Sequence, residues 1–348
     1  MMRARNQLLR IFGIAGVVAF AASVSGCTTA VYPMDTLRPT SDLTREILWL
    51  FNWVTGWMCL ILVVVVVTLF AAMFIFSSRP GDPGEPSSTH SSLYLELAWT
   101  ILPALILVAV TVPTIHTIVH TQPDKWPKNA FTVRVIAHQW WWEFKYPTLG
   151  IDTADEVHIP ENREIHFELV SDDVIHSFFM PQVGAKRDVV PGQVNQITLT
   201  ANVPGMYYGQ CAEFCGTSHA NMRFRVFVDT AAGFKKWAAD QLAPPFKPAS
   251  GAALAGEKIF VNAPCAICHT VKGISGFSKQ YTFGFKGPNL SHFGSRTSLA
   301  GSILDNTPQN VAMWIKNPDQ VKPGANMPTL GLRGQQLNDL VAYLESLK

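Results

Sequence analysis

The sequence predicts a multi-domain membrane protein: a hairpin of two membrane-spanning helices, an all-β sandwich or barrel, and a small helical domain at the C-terminal end. Three observations carry that prediction. Two long apolar stretches lie within residues 1–120, residues 121–230 break into short alternating runs separated by Pro and Gly, and from residue 252 short helical stripes alternate with glycine-rich loops. With 348 residues, 48% hydrophobic and 15% charged, the chain can hold two modest soluble domains beside its membrane segments. Its net charge of +2 says little by itself, and nucleic acid is not an expected partner. The distribution says more: Lys and Arg against Asp and Glu number 12 and 14 over residues 121–250 but 9 and 5 over 251–348, a slightly acidic middle and a basic tail.

Arg3, Arg5 and Arg10 precede the apolar run of residues 11–22, and the small-residue stretch VSGC follows, the pattern of a secretory signal peptide. Residues 1–26 are expected to be removed by cleavage before Cys27, an arrangement that resembles a bacterial lipoprotein box and makes Cys27 a possible lipid anchor. The alternative is a signal cleaved elsewhere, with Cys27 incidental. Residues 27–120 form the expected transmembrane hairpin, with spans at about 47–76 and 93–119. As a helix the first, which carries no charge, would measure about 45 Å, ample for a bilayer core of about 30 Å. The second contains Glu96, Pro103, Pro113 and His116 but is still too long and apolar for a soluble helix. The signal and the crossing parity place both ends outside a bacterial plasma membrane, whereas the connecting loop, with Arg79 against Asp82 and Glu85, lends no positive-inside support. Cys59, within the first span, reads as inert packing.

In residues 121–230, FTVRVIA, EIHFELV, NQITLT and FRVFVD are β-rich runs of period two, separated by stretches such as VVPGQ and NVPGMY. Residues 231–251 follow as a short helix, AAGFKKWAADQL, and a linker, APPFKPASG. The β region ends in CAEFCGTSHANM, Cys211 to Met222. On spacing alone this is a disulfide, a redox thiol pair or a metal site. His219, Met222 and the separate His176 in DVIHSFFMPQ add two imidazoles and a thioether to the two thiols, a soft donor set suited to copper.

The tail, residues 252–348, carries CAICH, the attachment motif of a c-type haem: Cys265 and Cys268 as thioether anchors and His269 as an axial iron ligand. Met327, in KPGANMPTL, is the candidate sixth ligand, with His292 as competitor. Leu337, Leu340, Val341 and Leu344 form one stripe of the last helix.

Over nearly all of residues 40–230 the chain resembles subunit II of haem-copper cytochrome c oxidases, and its tail resembles class I cytochromes c. The resemblance implies a cupredoxin-like β domain holding a dinuclear copper centre, CuA, and an all-α cytochrome c domain with covalent haem c. It makes Cys211 and Cys215 bridging thiolates, His176 and His219 the imidazole ligands, Met222 the thioether ligand and Glu213 a backbone carbonyl donor. It also implies that the Glu213 side chain faces a magnesium ion at the boundary with subunit I. Trp140, first tryptophan of HQWWWEFKY, corresponds to an exposed aromatic through which electrons arrive. Glu96 corresponds to a carboxylate at the mouth of a proton pathway. Gly256 and Tyr343 fit a close crossing of the first and last helices of the haem domain.

The function so implied is electron input to a respiratory oxidase. A cytochrome c or an upstream cytochrome complex reduces the haem, the electron passes to CuA, and subunit I, accompanied by subunit III, reduces oxygen to water and pumps protons. The oxygen chemistry lies in the partner. The alternatives are a membrane-anchored copper chaperone or thiol-redox protein and the CuA subunit of a nitric oxide reductase. The basic tail and the acids Asp152, Asp155, Glu156, Glu161, Glu164, Glu168, Asp172 and Asp173 suggest electrostatically steered docking of the two soluble domains.

Overall fold

The computed structural model describes residues 33–75, 92–122, 131–274 and 286–348. The signal segment 1–26, Cys27 and the loop between the two apolar spans lie outside the described residues. Helices α1 (Asp42–Ile75) and α2 (Leu93–Thr121) are both long and apolar enough to cross a bilayer. α1 begins ahead of the uncharged stretch because Ser41 starts it: Thr44 N donates to Ser41 Oγ at 3.1 Å and Ser41 N to Thr44 Oγ1 at 3.2 Å, a reciprocal cap. Both prolines of the second apolar stretch lie inside α2. Pro113 has no N–H for the carbonyl of Ala109, and the Trp53 indole of α1 donates to that carbonyl at 3.0 Å.

Strands β1 (Phe131–His138), β2 (Trp141–Tyr146), β3 (Ile151–Ala154), β4 (Glu156–Pro160), β5 (Glu164–Ser171), β6 (His176–Phe179), β7 (Lys186–Val189), β8 (Asn195–Thr200), β9 (Gly205–Cys211) and β10 (Arg223–Asp229) build a sandwich. Its five-stranded sheets run β3-β2-β1-β5-β8 and β4-β10-β9-β6-β7. The period-two pattern is realised directly: β1 buries Phe131, Val133, Val135 and Ala137. Trp142, Phe144, Phe178 and Phe224 fill the space between the sheets, with Phe178 stacked on Phe224 at 4.6 Å. A Cβ at Gly209 would stand 2.1 Å from the Phe224 ring, so this strand position has to be glycine. The start of α1 is tied to the sandwich: Thr200 N donates to the Asp42 carboxylate at 2.8 Å and Asn202 N to Thr40 O at 2.8 Å.

Helix α3 (Ala231–Leu242), capped by Thr230, packs Phe234 and Trp237 against Phe131 and Tyr146 of the sandwich. The haem-motif domain follows as α4 (Gly251–Asn262), α5 (Cys265–Cys268), the ladder β11 (Ser298–Leu299) and β12 (Leu304–Asp305), α6 (Pro308–Lys316), α7 (Pro318–Val321) and α8 (Gly334–Ser346). α4 crosses α8 so closely that a Cβ on Gly256 would lie 2.0 Å from Asp339 O and 2.7 Å from Tyr343 Cβ. Leu337, Leu340, Val341 and Leu344 are buried on that side of α8. The two-residue ladder interrupts an otherwise helical domain, and it is part of the surface that meets the sandwich.

Candidate functional site

The hairpin end between β9 and β10 holds the cysteine motif. Cys211 closes β9, its N–H bonded to Met222 O at 2.9 Å, and His176 opens β6, which pairs with β9 at Phe178 and Cys211. One edge of the sandwich thus brings six positions together. The sulfurs of Cys211 and Cys215 stand 3.8 Å apart, against about 2.0 Å for a disulfide. His176 Nδ1 lies 3.8 Å from Cys211 Sγ, His219 Nδ1 3.6 Å and Met222 Sδ 3.8 Å from Cys215 Sγ, and Glu213 O 3.2 Å from Cys211 Sγ. Cys211, Cys215, His176 and Met222 are buried, while the Glu213 side chain is exposed.

The protonation chemistry suits a metal. His176 Nε2 donates to Asp173 Oδ1 at 2.7 Å, which leaves the Nδ1 lone pair facing the sulfur. Burial works to lower the His176 pKa, but Asp173 and Cys211 together outweigh it and the net shift is upward. The Cys211 thiol is pushed down, first by its hydrogen bond with Cys215 and against the opposing effect of burial. Two thiol sulfurs, two imidazole nitrogens, a thioether and a carbonyl, dry and preformed, fit a soft transition metal and in particular copper.

The second site is an open cleft lined by Cys265, Cys268, His269 and Met327. His269 Nδ1 donates to Pro288 O at 2.8 Å, so Nε2 is the nitrogen available to a ligand. Burial lowers the His269 pKa and keeps the imidazole neutral, as ligation requires. The ring lies flat against Gly287, where a Cβ would stand 2.6 Å from Cε1. His292 is not among the lining residues: it is buried beside the main chain of Gln241 and Lys348. The residues of the cleft, Cys265, Cys268, His269 and Met327, therefore fit a haem.

The cleft is walled by both domains. Gln139, Trp140, Trp141, Ala154 and Asp155 of the sandwich line it together with the helical domain. Trp140 is not exposed as the resemblance implied: it is 9% accessible because Gly324 and Lys322 of the helical domain lie over it. Its indole Nε1 donates to Cys215 O at 3.1 Å, and Gln139 Nε2 reaches the same carbonyl at 2.7 Å. One side chain thus bounds the haem cleft and touches the main chain of a copper-site cysteine.

Among the polar contacts that hold the domains, four centre on Glu156, Arg225, Lys286 and Lys322. Glu156 Oε1 accepts from Thr297 N at 2.9 Å, Thr297 Oγ1 at 2.6 Å and Ser298 Oγ at 2.8 Å. Arg225 pairs with Asp305 at 2.6 Å. Lys286 is ion-paired with Glu143, which also takes His138 Nε2 at 3.0 Å and Lys145 Nζ at 3.2 Å. Lys322 donates to Trp140 O and, at 3.0 Å, to Ala300 O. Burial alone would raise the Glu143 pKa, but His138 and Lys286 together hold it down at about 2. Neighbouring Asp152 is pushed up to about 7, first by burial and then by the Glu143 charge. Burial raises Asp155 to about 6 and lowers Lys322 to about 8, each resisted by the other's charge.

Asp155 and Glu156, read in the sequence as part of an acidic steering surface, are instead buried in this joint. Sequence reasoning missed Glu143, Lys286 and Lys322. The one available signal was an acid inside the aromatic run HQWWWEFKY, at a strand position that turns out to be 1% exposed. Glu96 lies in the first turn of α2, the far end of that helix from the sandwich.

Three family models match the chain: cytochrome c oxidase subunit II, transmembrane domain, over residues 34–117; the periplasmic domain of the same subunit over 148–228; and cytochrome c over 253–348. Cytochrome c oxidase subunit 2 of Alkalihalophilus pseudofirmus is 35% identical over 84% of each chain. That of Bacillus sp. strain PS3 is 37% identical over 78% of this chain and 80% of its own, and that of Bacillus subtilis 34% identical over 78% and 79%.

Proposed function

The chain belongs to the cytochrome c oxidase subunit II family, part of a haem-copper oxidoreductase complex, and from that premise we propose that it is the complex's electron-input subunit. In this reading electrons from a cytochrome c or an upstream cytochrome complex reach the haem cleft, cross to the copper site and leave for subunit I. The observation that carries it is Trp140, which bounds the haem cleft and donates to Cys215 O at 3.1 Å. When bound, haem c and a dicopper centre supply one-electron carriers that need little rearrangement.

The chain's own residues do the holding. Cys265 and Cys268 would anchor the haem covalently, with His269 and Met327 as its further ligands. Cys211, Cys215, His176, His219, Met222 and the Glu213 carbonyl would hold the two coppers. Asp173 and Pro288 O fix the tautomers of His176 and His269, so neither imidazole has to turn on ligation. The aromatic core beneath the copper ligands keeps water out.

Finer assignments belong to the same reading. The exposed Glu213 side chain would face a magnesium ion at the boundary with subunit I, and Glu96 would stand at the mouth of that subunit's proton pathway, with subunit III completing the assembly. Oxygen reduction and proton pumping take place in the partner. α1 and α2 would cross a bacterial plasma membrane, leaving the sandwich and the haem domain on its outer, periplasmic side and Cys27 as a lipid anchor. A copper chaperone needs an exchangeable, accessible site; Cys211 and Cys215 are each 3% exposed.

Metal and haem analysis of the purified full-length chain tests the proposal. Two coppers sharing one unpaired electron, beside one covalent low-spin haem, are the expected result. A single exchangeable copper, or a Cys211–Cys215 disulfide with none, would sink it.

A further inference from the structure

We propose that Lys322 is a positioning residue for electron transfer between the haem cleft and the copper ligands, clamping the helical domain over Trp140 so that the domain works as a fixed relay. This rests on the relay reading and adds to it a residue and a mode of operation.

Lys322 is 4% exposed, and its ammonium spans the domain boundary: it donates to Trp140 O in the sandwich and to Ala300 O, at 3.0 Å, in its own domain. A buried ammonium without partners costs several kcal/mol, so one satisfied by carbonyls of two domains commits both to one arrangement. Its counter-charge, Asp155, is 6% exposed, held within the sandwich by Trp142 N at 2.9 Å and across the boundary by Gly301 N at 3.2 Å.

The backbone around Trp140 is shaped for this contact. Gly301 has φ +79°, and a Cβ there would meet Lys322 Nζ at 2.3 Å and Asn221 O at 2.7 Å. Gly324 has φ +80° and a Cβ there would meet the indole at 3.1 Å; Gly216 has φ +116°, and its Cβ would meet the neighbouring edge at 3.0 Å. At Gly301 a side chain is excluded both by conformation and by space, and at Gly324 and Gly216 it would be strained by conformation and tight against the indole. Trp140 is therefore gripped at its carbonyl by Lys322, at its ring by two glycines, and at its indole N–H by Cys215 O.

A grip of this kind separates two ways of working. A haem domain that detaches and redocks transfers electrons at a rate set by encounter between charged surfaces, which salt slows. A clamped domain transfers through a fixed contact whose central charges, Lys322 and Asp155, are buried, where salt has little purchase.

The test uses the purified oxidase complex with the full chain, reading the haem-to-copper transfer rate after rapid photoreduction of the haem across roughly 0.01–1 M salt. Wild type should be insensitive to salt over that range. Lys322→Met should slow transfer roughly tenfold, by loss of its charged hydrogen bonds, and make the rate fall with salt. Because that variant strands the Asp155 carboxylate, Lys322→Met with Asp155→Asn is measured beside it. Removing the stranded charge should restore folding but not the rate, since Trp140 O still lacks its donor, and a purely structural role would restore both. A wild-type rate that falls with salt, or variants holding both coppers and haem that transfer at the wild-type rate, overturns the proposal. A wild-type complex lacking two coppers or the covalent haem on this chain overturns the relay reading beneath it.

Discussion

Glu143 offers the sharpest energetic test of how the two soluble domains are joined. Its carboxylate is 1% exposed and faces His138, Lys145 and, from the helical domain, Lys286. Against the opposing effect of burial, the His138 hydrogen bond and the lysine charges hold its pKa at about 2 instead of the ordinary 4.5. A carboxyl so depressed contributes about 3 kcal/mol of stability at neutral pH. Because the folded value lies below the unfolded one, this stability is fully present above about pH 4.5 and is lost as pH falls towards about 2, with roughly half remaining at pH 3. Glu143→Gln preserves shape and removes the charge, so thermal unfolding of the full chain should drop by roughly 10 °C at pH 7. The difference from wild type should narrow on acidification, and Lys286→Met should recover part of it in a double-mutant cycle because the stranded ammonium is then gone. A shift below roughly 2 °C, or one of equal size at pH 7 and pH 3, would refute the reasoning.

Two further substitutions address the haem domain. Gly256→Ala places a methyl 2.0 Å from Asp339 O, main chain that cannot rotate away, so α4 and α8 must part. The cost of about 1–3 kcal/mol or more should exceed the helix-propensity gain of about 1 kcal/mol and lower the melting temperature of the domain, followed by the haem absorption band. If Met327 is the second haem ligand, as proposed, Met327→His should lower the haem reduction potential by on the order of 100 mV, read by redox titration, while His292→Ala leaves it in place.

Much of this architecture can be read from the chain because each element has a strong local signal. Uninterrupted apolarity marks α1, period two marks β1, and CAICH marks the haem cleft whatever surrounds it. The cysteine motif is legible for a related reason: five of its six ligand positions lie in one hairpin end, and only His176 comes from another strand. The joint between the domains is different. Whether Asp155 is a solvated acid or the partner of a buried lysine depends on which surface lies 167 residues away at Lys322, and no local pattern encodes that. The same holds for Trp140. Its sequence neighbours say aromatic strand end, while its burial comes from Gly324 and Lys322 of a domain joined by a linker. The helix start at Asp42, ahead of the apolar stretch, likewise comes from a cap and from strand β8.

The most direct test of the relay is the order in which the two sites of the intact complex accept an electron. After a single-electron flash, the haem band should appear first and then decay at the same rate at which the dicopper absorption bleaches, before the electron moves on to the partner subunit. Copper bleaching that precedes haem reduction, or haem that stays reduced while copper turns over, would contradict an electron path running from Cys265, Cys268 and His269 past Trp140 to Cys215.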